Sequence, residues 1–287
     1  MTAVLTPKDF ATATPSWWCP GCGDFGVLAA LKSALAELGK NPKDVAFVSG
    51  IGCSGKISGY IHSYAFHGVH GRALPVATAV KLANRDLTVI AAGGDGDGYA
   101  IGAGHFVHAV RRNPDVTYIV MDNQTYGLTK GQSSPTSQTG YVTGTSPHGH
   151  PEAPINGLAV ALSAGATYLA RGFSAHPKQL VGLLKDAISH KGFSVVEVES
   201  PCVTYNKINT YAWFKENVFY LDESHDAGDK VAAFKMLTNE GKMPLGVFYR
   251  SDRATLEDLS LHDQTPVAKQ PLNGDLTRFA SIQDAYR

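Results

Sequence analysis

Short, unbroken runs of apolar residues alternate with stretches of helical periodicity along most of this chain. Each run is continuous rather than alternately polar and apolar, which is typical of strands that are buried on both faces of a sheet. The runs are VAFVS, LTVIA, VTYIVM, ATYLA and SVVEV, and the helical stretches include LPVATAVKLA, AIGAGHFVHAVRR, NGLAVALSAG and PKQLVGLLKDAISH. This order predicts an α/β fold with a doubly wound, mostly parallel sheet, whose ligands bind beyond the carboxyl ends of the strands.

The composition excludes several classes of function. The 25 basic residues balance the 25 acidic ones, and no run of like charges occurs, so we expect neither nucleic acid nor an anionic membrane as a partner. The N-terminal segment lacks the apolar core of a signal peptide, and no run of about twenty apolar residues occurs, so we expect a cytoplasmic protein. In that reducing compartment, the four cysteines are better candidates for metal binding, catalysis or the core than for disulfides.

The strand and helix pattern weakens after Cys202. The stretch TYNKINTYAWFKENVFYL mixes aromatic and polar residues, and beyond it only LGVFY has the character of a strand. We therefore expect a cofactor-binding domain over residues 1–210 and a C-terminal extension over residues 211–287 that packs on this domain or on a partner. Residues 131–154 form a long loop rich in Ser, Thr, Gly, Pro and His, which indicates a functional or partner-covered segment.

The segment GIGCSGKIS, residues 50–58, is similar to a phosphate-binding loop. The motif GxxxxGK[ST] needs a hydroxyl directly after its lysine to bind magnesium, and Ile57 occupies that position. A nucleotide-binding loop is therefore disfavoured. Cys53, inside the segment, indicates a different chemistry.

A glycine-rich loop with two acidic residues follows LTVIA. In AGGDGDGYAIGAGHF, Gly94 and Gly96 allow a ligand to approach the backbone closely, and the start of the following helix favours an anion. A dinucleotide fingerprint fails because Ile101 occupies the position of the third glycine in GxGxxG. Asp95 and Asp97 would repel a bare diphosphate unless a divalent cation lies between them. The loop therefore indicates a metal-bridged diphosphate.

The next apolar run ends in DNQTYGLTKGQ, which offers further oxygen ligands for such a metal. Asn123 provides a side-chain carbonyl and Thr125 a backbone carbonyl, one strand–helix–strand step after Asp95. GDG, a helix, a strand and then Asn is the pattern of thiamine-diphosphate enzymes. The alternative is two ordinary turns with surface acids, which their joint placement after consecutive buried strands disfavours.

The four cysteines fall in segments that can converge at one edge of the sheet. Cys19 and Cys22 form a CxxC before the first helix, whereas Cys53 and Cys202 each follow a predicted strand. Four thiolates suit zinc or an iron–sulfur cluster. Structural zinc sites more often use two compact CxxC pairs, so together with the thiamine pattern this arrangement favours a [4Fe–4S] cluster. A thioredoxin-like CPGC pair and simple buried or free thiols are the alternatives.

Thiamine diphosphate beside such a cluster indicates oxidative decarboxylation of a 2-oxoacid, with single electrons passing to the cluster and the acyl group leaving on a thiol. Together, WCPGCG, SGIGCSGK, HGRALPVATAVKLAN, GGDGDGYAIGAGHF, DNQTYGLTKGQSSPT and PCVTYN resemble the β subunit of the 2-oxoacid:ferredoxin oxidoreductases, over about residues 15–250. The resemblance implies a [4Fe–4S] cluster on Cys19, Cys22, Cys53 and Cys202. It also implies Mg²⁺ on thiamine diphosphate, held by Asp95, Asn123 and the Thr125 carbonyl, with Gly94, Gly96, Asp97 and Gly127 around the cofactor.

Three further residues are candidates for the reaction itself. Lys56 is expected to pair with the substrate carboxylate, with a plain surface lysine as the alternative. His70, in HGR before a helix, could face the cofactor and assist proton transfer, although structural hydrogen bonding is the alternative. Leu128 is expected to shape the substrate end of the site, whereas the glycines beside it could mean only a tight turn.

The resemblance implies an α subunit that supplies much of the coenzyme A site, in an assembly of at least αβ and expected as (αβ)₂. The sequence supports a partner independently, because thiamine activation needs a glutamate and none occurs between Glu37 and Glu152. The cysteines suffice for only one cluster and no CxxCxxCxxxC segment occurs, so an external ferredoxin is the expected acceptor.

The LTKGQ form of the loop favours 2-oxoglutarate as the substrate over pyruvate or a broad range of 2-oxoacids. Two other functions stay open at this point. One is a non-redox thiamine decarboxylase with a structural zinc, and the other is an inactive electron-transfer or scaffold subunit.

Overall fold

A computed structural model describes residues 4–261, 264–270, 280 and 283–284. Within them, eight strands form one sheet: β1 (Val45–Ser49), β2 (Tyr64–His67), β3 (Thr88–Gly94), β4 (Val116–Asp122), β5 (Tyr168–Phe173), β6 (Ser194–Glu199), β7 (Val218–Tyr220) and β8 (Met243–Arg250). The α-helices are α1 (Asp24–Glu37), α2 (Ala73–Ala83), α3 (Ala103–Arg112), α4 (Gly157–Ser163), α5 (Pro177–Ser189), α6 (Tyr211–Asn217), α7 (Lys230–Leu237) and α8 (Leu256–Leu261).

The strands lie in the order β2-β1-β3-β4-β6-β5-β8-β7. All neighbouring pairs from β2 to β5 are parallel, β8 runs antiparallel to β5, and β7 is parallel to β8. The prediction of a doubly wound, mostly parallel α/β fold is confirmed. Two strands were not predicted, namely β2, whose four residues are all exposed, and the three-residue β7.

Both faces of the sheet are covered, which explains why the strand sequences are continuously apolar. In β1, Val45 and Phe47 pack into a core that includes α1 and α5, whereas Ala46 and Val48 pack into a second core that includes α2, α3 and α4. The two cores use alternate residues of the same strand, because successive side chains point to opposite faces.

The carboxyl ends of four parallel strands lie side by side at one edge of the sheet. Ser49 pairs with Ala92, Gly94 with Met121, and Asp122 with Glu199. The loops after β1, β3, β4 and β6 therefore leave the sheet together. These loops carry Cys53, the GDGDG segment, Asn123 and Cys202.

The chain beyond residue 210 contributes directly to the sheet, because β8 pairs with β5 along Tyr168–Arg171. The boundary expected near residue 210 stays a prediction. No helix in the described part of the chain combines the length and the apolar character that a bilayer crossing requires.

Candidate cofactor and cluster site

A cleft of about 510 Å³ opens at the carboxyl edge, between the loops that follow β1, β3 and β4. The structure places most of the residues that were predicted to bind or shape ligands in its wall. They are Cys53, His70, Gly94, Asp95, Gly96, Asp97, Asn123, Thr125, Gly127 and Leu128. Three segments that are distant in sequence thus contribute to one cleft because their strands are neighbours.

Asp95 is a buried carboxylate in the cleft wall, where β3 passes into a short π-helical segment, Gly96–Ile101. Burial raises the pKa of Asp95, and hydrogen bonds from Ser134 and Thr136 partly offset this rise. The Thr136 hydroxyl lies 2.7 Å from Asp95 Oδ2. A divalent cation in the cleft would favour the ionised carboxylate, so this residue suits a metal ligand.

Asn123 and Thr125 follow β4 and reach the same cleft. The side-chain carbonyl of Asn123 accepts the backbone N–H of Thr125 at 3.1 Å, which forms a local turn. The hydroxyl of Thr125 donates to the Gln132 carbonyl at 2.9 Å, so the side chain of Thr125 is engaged elsewhere. With Asp95, these residues form a donor set made of oxygen, which fits Mg²⁺.

Asp97 is enclosed by the protein itself. Its Oδ1 accepts the backbone N–H groups of Ile51, at 2.9 Å, and Gly71, at 2.8 Å, and lies 2.6 Å from Nδ1 of His70. A Cβ on Gly50 would lie 1.9 Å from Asp97 Oδ2, so only glycine fits there. This carboxylate therefore connects the loops after β1, β2 and β3. Its predicted contact with the cofactor stays a prediction.

His70 stands at the rim of the cleft, with a side chain that is 36% exposed. When its Nδ1–H donates to Asp97, Nε2 is the nitrogen that can accept a proton. This geometry orients the imidazole and is compatible with either a structural or a proton-transfer role. Leu128, at the same rim, is 45% exposed.

Gly96 permits a close approach, and Gly127 lies next to two of the cysteines. A Cβ on Gly96 would lie 2.1 Å from Cε1 of Tyr126, so the absence of a side chain lets that ring cover the loop. A Cβ on Gly127 would lie 3.5 Å from both Cys53 Sγ and Cys202 Sγ. Those two sulfur atoms are therefore no further apart than twice that distance, next to the residues that line the cleft.

The N-terminal CxxC packs against the loop that carries Cys202. Gly23 donates its N–H to the Pro201 carbonyl at 3.1 Å, and a Cβ on Gly23 would lie 2.6 Å from the backbone carbon of Ser200. The indole Nε1 of Trp18 donates to the carbonyl of Cys53 at 2.6 Å. These contacts bring the CxxC segment to the other two cysteines.

The thiols influence one another electrostatically. Burial raises the pKa of Cys53 to about 11, and the charge of Asp24 adds to the rise. Cys202 and Cys19 raise it further, whereas the ammonium of Lys56 lowers it. Burial is also the main cause that raises the pKa of Cys22. A metal centre would favour the thiolates, because a coordinated thiol loses its proton.

The cysteine sulfurs are not grouped as closely as the ligands of a single metal ion. Among the described residues, which include all four cysteines, no three cysteine sulfurs lie within 4.8 Å of one another. Cys19 is exposed, whereas the other three are half-buried. Lys56 is not among the residues of the cleft wall, and its predicted contact with the substrate carboxylate stays a prediction.

Sequence reasoning missed a buried polar network behind the cleft. Glu197 accepts a hydrogen bond from Arg171 Nε at 2.8 Å and another from the Tyr99 hydroxyl, also at 2.8 Å. Thr136 lies 2.8 Å from Asp122 Oδ1 and 2.7 Å from Asp95 Oδ2. Asp122 offers an oxygen within 4.8 Å of one from Glu197, so Asp95 adjoins this network through Thr136 and Asp122. The available signal was the presence of charged residues in SVVEVE and YLARGF, two runs that otherwise have the character of buried strands.

The fold and the cleft define a class of protein, the thiamine-diphosphate-binding α/β domains. Residues 50–198 match the family described as "Thiamine pyrophosphate enzyme, C-terminal TPP binding domain", thiamine pyrophosphate being another name for thiamine diphosphate. Residues 202–263 match a second family, described as the C-terminal part of the pyruvate ferredoxin oxidoreductase β subunit.

Individual relatives point to one family within this class of proteins. A 2-oxoacid:ferredoxin oxidoreductase β subunit from Sulfolobus sp. is 44% identical over 84% of this chain and 85% of the relative. The 2-oxoglutarate oxidoreductase subunit KorB from Mycobacterium tuberculosis is 43% identical over 69% of this chain and 53% of the relative.

Among solved structures, the 2-oxoglutarate:ferredoxin oxidoreductase from Magnetococcus marinus, with 2-oxoglutarate, coenzyme A and succinyl-CoA bound, gives a TM-score of 0.90. It is 42% identical, over 97% of this chain and 96% of that chain. This chain belongs to the family of the 2-oxoacid:ferredoxin oxidoreductase β subunits. The family and the class of enzyme that the motifs predicted are thereby confirmed.

Proposed function

We propose that this chain is the catalytic β subunit of a coenzyme A-acylating 2-oxoacid:ferredoxin oxidoreductase, with Mg²⁺-bound thiamine diphosphate and one [4Fe–4S] cluster. One observation carries the proposal. Cys53 lines the cleft together with Asp95 and Asn123, and its sulfur and that of Cys202 both lie next to Gly127. A single loop thus joins a diphosphate-type cleft to a group of thiols.

Thiamine diphosphate, when bound, supplies a carbon nucleophile for decarboxylation, and an iron–sulfur cluster accepts electrons one at a time. Asp95, Asn123 and the Thr125 carbonyl would hold the metal of the diphosphate. Asp97 fixes the loops around the cleft, and His70 presents a nitrogen that can accept or release a proton at the rim.

The spacing of the cysteines favours a cluster over zinc. Four thiolates around one zinc ion, at about 2.3 Å from the metal, would hold their sulfur atoms about 3.8 Å apart. A cubane cluster separates its ligands further, because iron and sulfide atoms lie between them. No three of the sulfurs of Cys19, Cys22, Cys53 and Cys202 lie within 4.8 Å of one another, which agrees better with the second arrangement.

Two features support an α subunit and a particular substrate. No glutamate occurs among the described residues that line the cleft, so the group that activates thiamine would come from a partner. In the family pattern, this partner is an α subunit that contributes to the coenzyme A site, in an (αβ)₂ assembly.

The KorB relatives and the Magnetococcus enzyme, which was solved with 2-oxoglutarate bound, favour 2-oxoglutarate over pyruvate as the substrate. An external ferredoxin would be the electron acceptor.

The test is anaerobic purification of this chain together with its α subunit. We expect iron and sulfide in equal amounts, at about four of each per β chain, and CoA-dependent reduction of ferredoxin with a higher kcat/KM for 2-oxoglutarate than for pyruvate. Zinc without iron would support the non-redox decarboxylase instead. Bound cofactors without turnover on either acid would contradict the catalytic assignment, and a preference for pyruvate would contradict only the substrate.

A further inference from the structure

Three carboxylates meet where β4 and β6 end, outside the wall of the cleft. Asp122, at the end of β4, pairs in register with Glu199, at the end of β6, and Glu197 lies two residues earlier on the same face of β6. Each offers an oxygen within 4.8 Å of the others. All three residues are buried, with at most 4% of the surface of each exposed.

Charge does not balance in this group. Arg171 lies 2.8 Å from Glu197 and 3.5 Å from Glu199, and it is the only Lys or Arg among the described residues around the adjoining cavity. Three carboxylates against one guanidinium leave an excess of two negative charges when all are ionised. Buried charges that lack partners are strongly unfavourable, so the group needs protons or a further cation.

A neighbouring side chain points independently to a ligand. Gln124 is 6% exposed and lines the same cavity, of about 710 Å³, as the three carboxylates. Its Oε1 is buried and has no hydrogen-bond partner in the described part of the chain, and the same is true of Glu199 Oε2. Gln124 adopts a φ of 56° in the left-handed region, stabilised by its N–H bond to Asp122 Oδ1 at 3.0 Å. Gln124 thus shares the cavity with the three acids, and its side-chain oxygen is buried without a hydrogen-bond partner.

We propose that Asp122, Glu197, Glu199 and the Gln124 carbonyl bind a divalent metal ion, at a site separate from the metal of the diphosphate. The donors are all oxygen, and neither histidine nor cysteine lines the cavity among the described residues, so a hard cation such as Mg²⁺, Ca²⁺ or Mn²⁺ fits. One divalent ion would balance the two excess charges. The cavity also leaves room for the waters that such ions retain.

This second site would support the first one through Thr136. Its hydroxyl lies 2.8 Å from Asp122 Oδ1 and 2.7 Å from Asp95 Oδ2. A metal ion on Asp122 would fix that carboxylate and, through Thr136, the position of Asp95. The inference stands without the proposed function, because it rests on residues outside the cleft wall.

The test counts Mn²⁺ bound per β chain in the complex with the α subunit, by equilibrium dialysis and electron paramagnetic resonance at saturating thiamine diphosphate. We expect two ions in the wild type, one in Glu199→Gln, one in Asp95→Asn, and two in the exposed control Glu216→Gln. If the diphosphate metal site is wrong but this inference holds, the wild type binds one ion and Glu199→Gln none. A Glu199→Gln variant that binds as many ions as the wild type overturns the inference.

If circular dichroism shows that Glu199→Gln fails to fold, a second variant tests the proposed metal site. Gln124→Asn keeps a residue that tolerates the left-handed region but shortens the amide arm. We expect one of the two Mn²⁺ ions to bind at least tenfold more weakly, and Mn²⁺ to raise the Tm less than in the wild type. Unchanged affinities at both sites in this variant overturn the inference.

Discussion

The carboxylate of Asp97 accepts the backbone N–H of Ile51 at 2.9 Å, and so ties the loop after β3 to the loop after β1. The same oxygen accepts the N–H of Gly71 and contacts His70. Three loops that differ widely in sequence position therefore depend on one buried charge. The walls of the cleft are held before any ligand binds.

Asp97→Asn should lower the stability of the fold. The amide keeps the shape but loses the negative charge that accepts these bonds, and hydrogen bonds to a charged group contribute about 1.5–3 kcal/mol each. We expect the free energy of unfolding to fall by about 3 kcal/mol in urea titrations. The exposed control Asp44→Asn should stay near the wild type, and equal stability of the two variants would contradict the role given to Asp97.

Gly96→Ala should disturb the cleft, because the new methyl group would lie 2.1 Å from the Tyr126 ring. The ring or the loop must move, so we expect weaker binding of thiamine diphosphate in calorimetric titrations of the αβ complex. Gly104→Ala is the matched control, since nothing lies within 4 Å of its added methyl group in α3. That change should leave binding unaltered and stabilise the protein by about 0.4–1 kcal/mol. Similar binding by both variants would refute the close approach.

Asp95→Asn should remove thiamine-dependent turnover and leave the iron content intact. Substitutions of residues that merely support a metal ligand cost about 10–100-fold, so the loss of a ligand should lower kcat/KM by more than roughly 100-fold. Ferredoxin reduction and iron analysis on the same preparation measure the two effects. Turnover at the wild-type rate would reject Asp95 as a metal ligand.

Cys202→Ser should lose or degrade the iron–sulfur cluster. The sulfur of Cys202 lies near that of Cys53, and the other three proposed ligands cannot complete a four-thiolate site without it. We expect less iron per chain and a changed electron paramagnetic resonance signal in the reduced protein. Thr204→Ser, two residues further along the same loop, should retain both. A full iron complement in Cys202→Ser would contradict the ligand set.

Stability should also fall at acidic pH because of His190. This residue is 4% exposed, and burial lowers its pKa, with the charge of Arg250 adding to the effect. Asp252 and Asp115 oppose the change but do not reverse it. The unfolded chain takes up a proton near pH 6.5 that the folded chain resists, so this contribution to stability is lost as the pH falls below about 6.5.

His190→Gln should reduce this loss, because an amide does not titrate and can still bond to Thr167, whose hydroxyl lies 2.9 Å from Nε2 of His190. Urea unfolding at pH 7.5 and at pH 5.5 measures the difference. The exposed control His148→Gln should behave as the wild type. Identical pH dependence in all three proteins would rule out His190 as the source.

Much of the fold could be predicted because strands that are buried on both faces have continuous apolar sequences. VAFVS coincides with β1, and LTVIA with most of β3. The edge strand β2 left no such trace, since Tyr64–His67 is exposed and too short for a pattern. The order of the strands in the sheet could not be predicted either, because an apolar run does not specify which other run lies beside it.

The site was predictable where a motif fixes its own geometry. GDGDG and DNQT match the pattern of thiamine-diphosphate enzymes and are one strand–helix–strand step apart, and in the structure their strands β3 and β4 are neighbours. The roles of Asp97 and Glu199 depend on side-chain partners that are distant in sequence, such as Ile51 and Arg171. Such partnerships appear only when the sheet order and the loop paths are known.

Strand β8 limits where this chain can be truncated. It runs antiparallel along β5 and so covers the backbone groups of what would otherwise be the last parallel strand. A fragment that stops before Met243 would leave that row of N–H and C=O groups open, and open strand edges recruit other chains. The cofactor-binding half therefore cannot be excised at residue 210 without inviting aggregation.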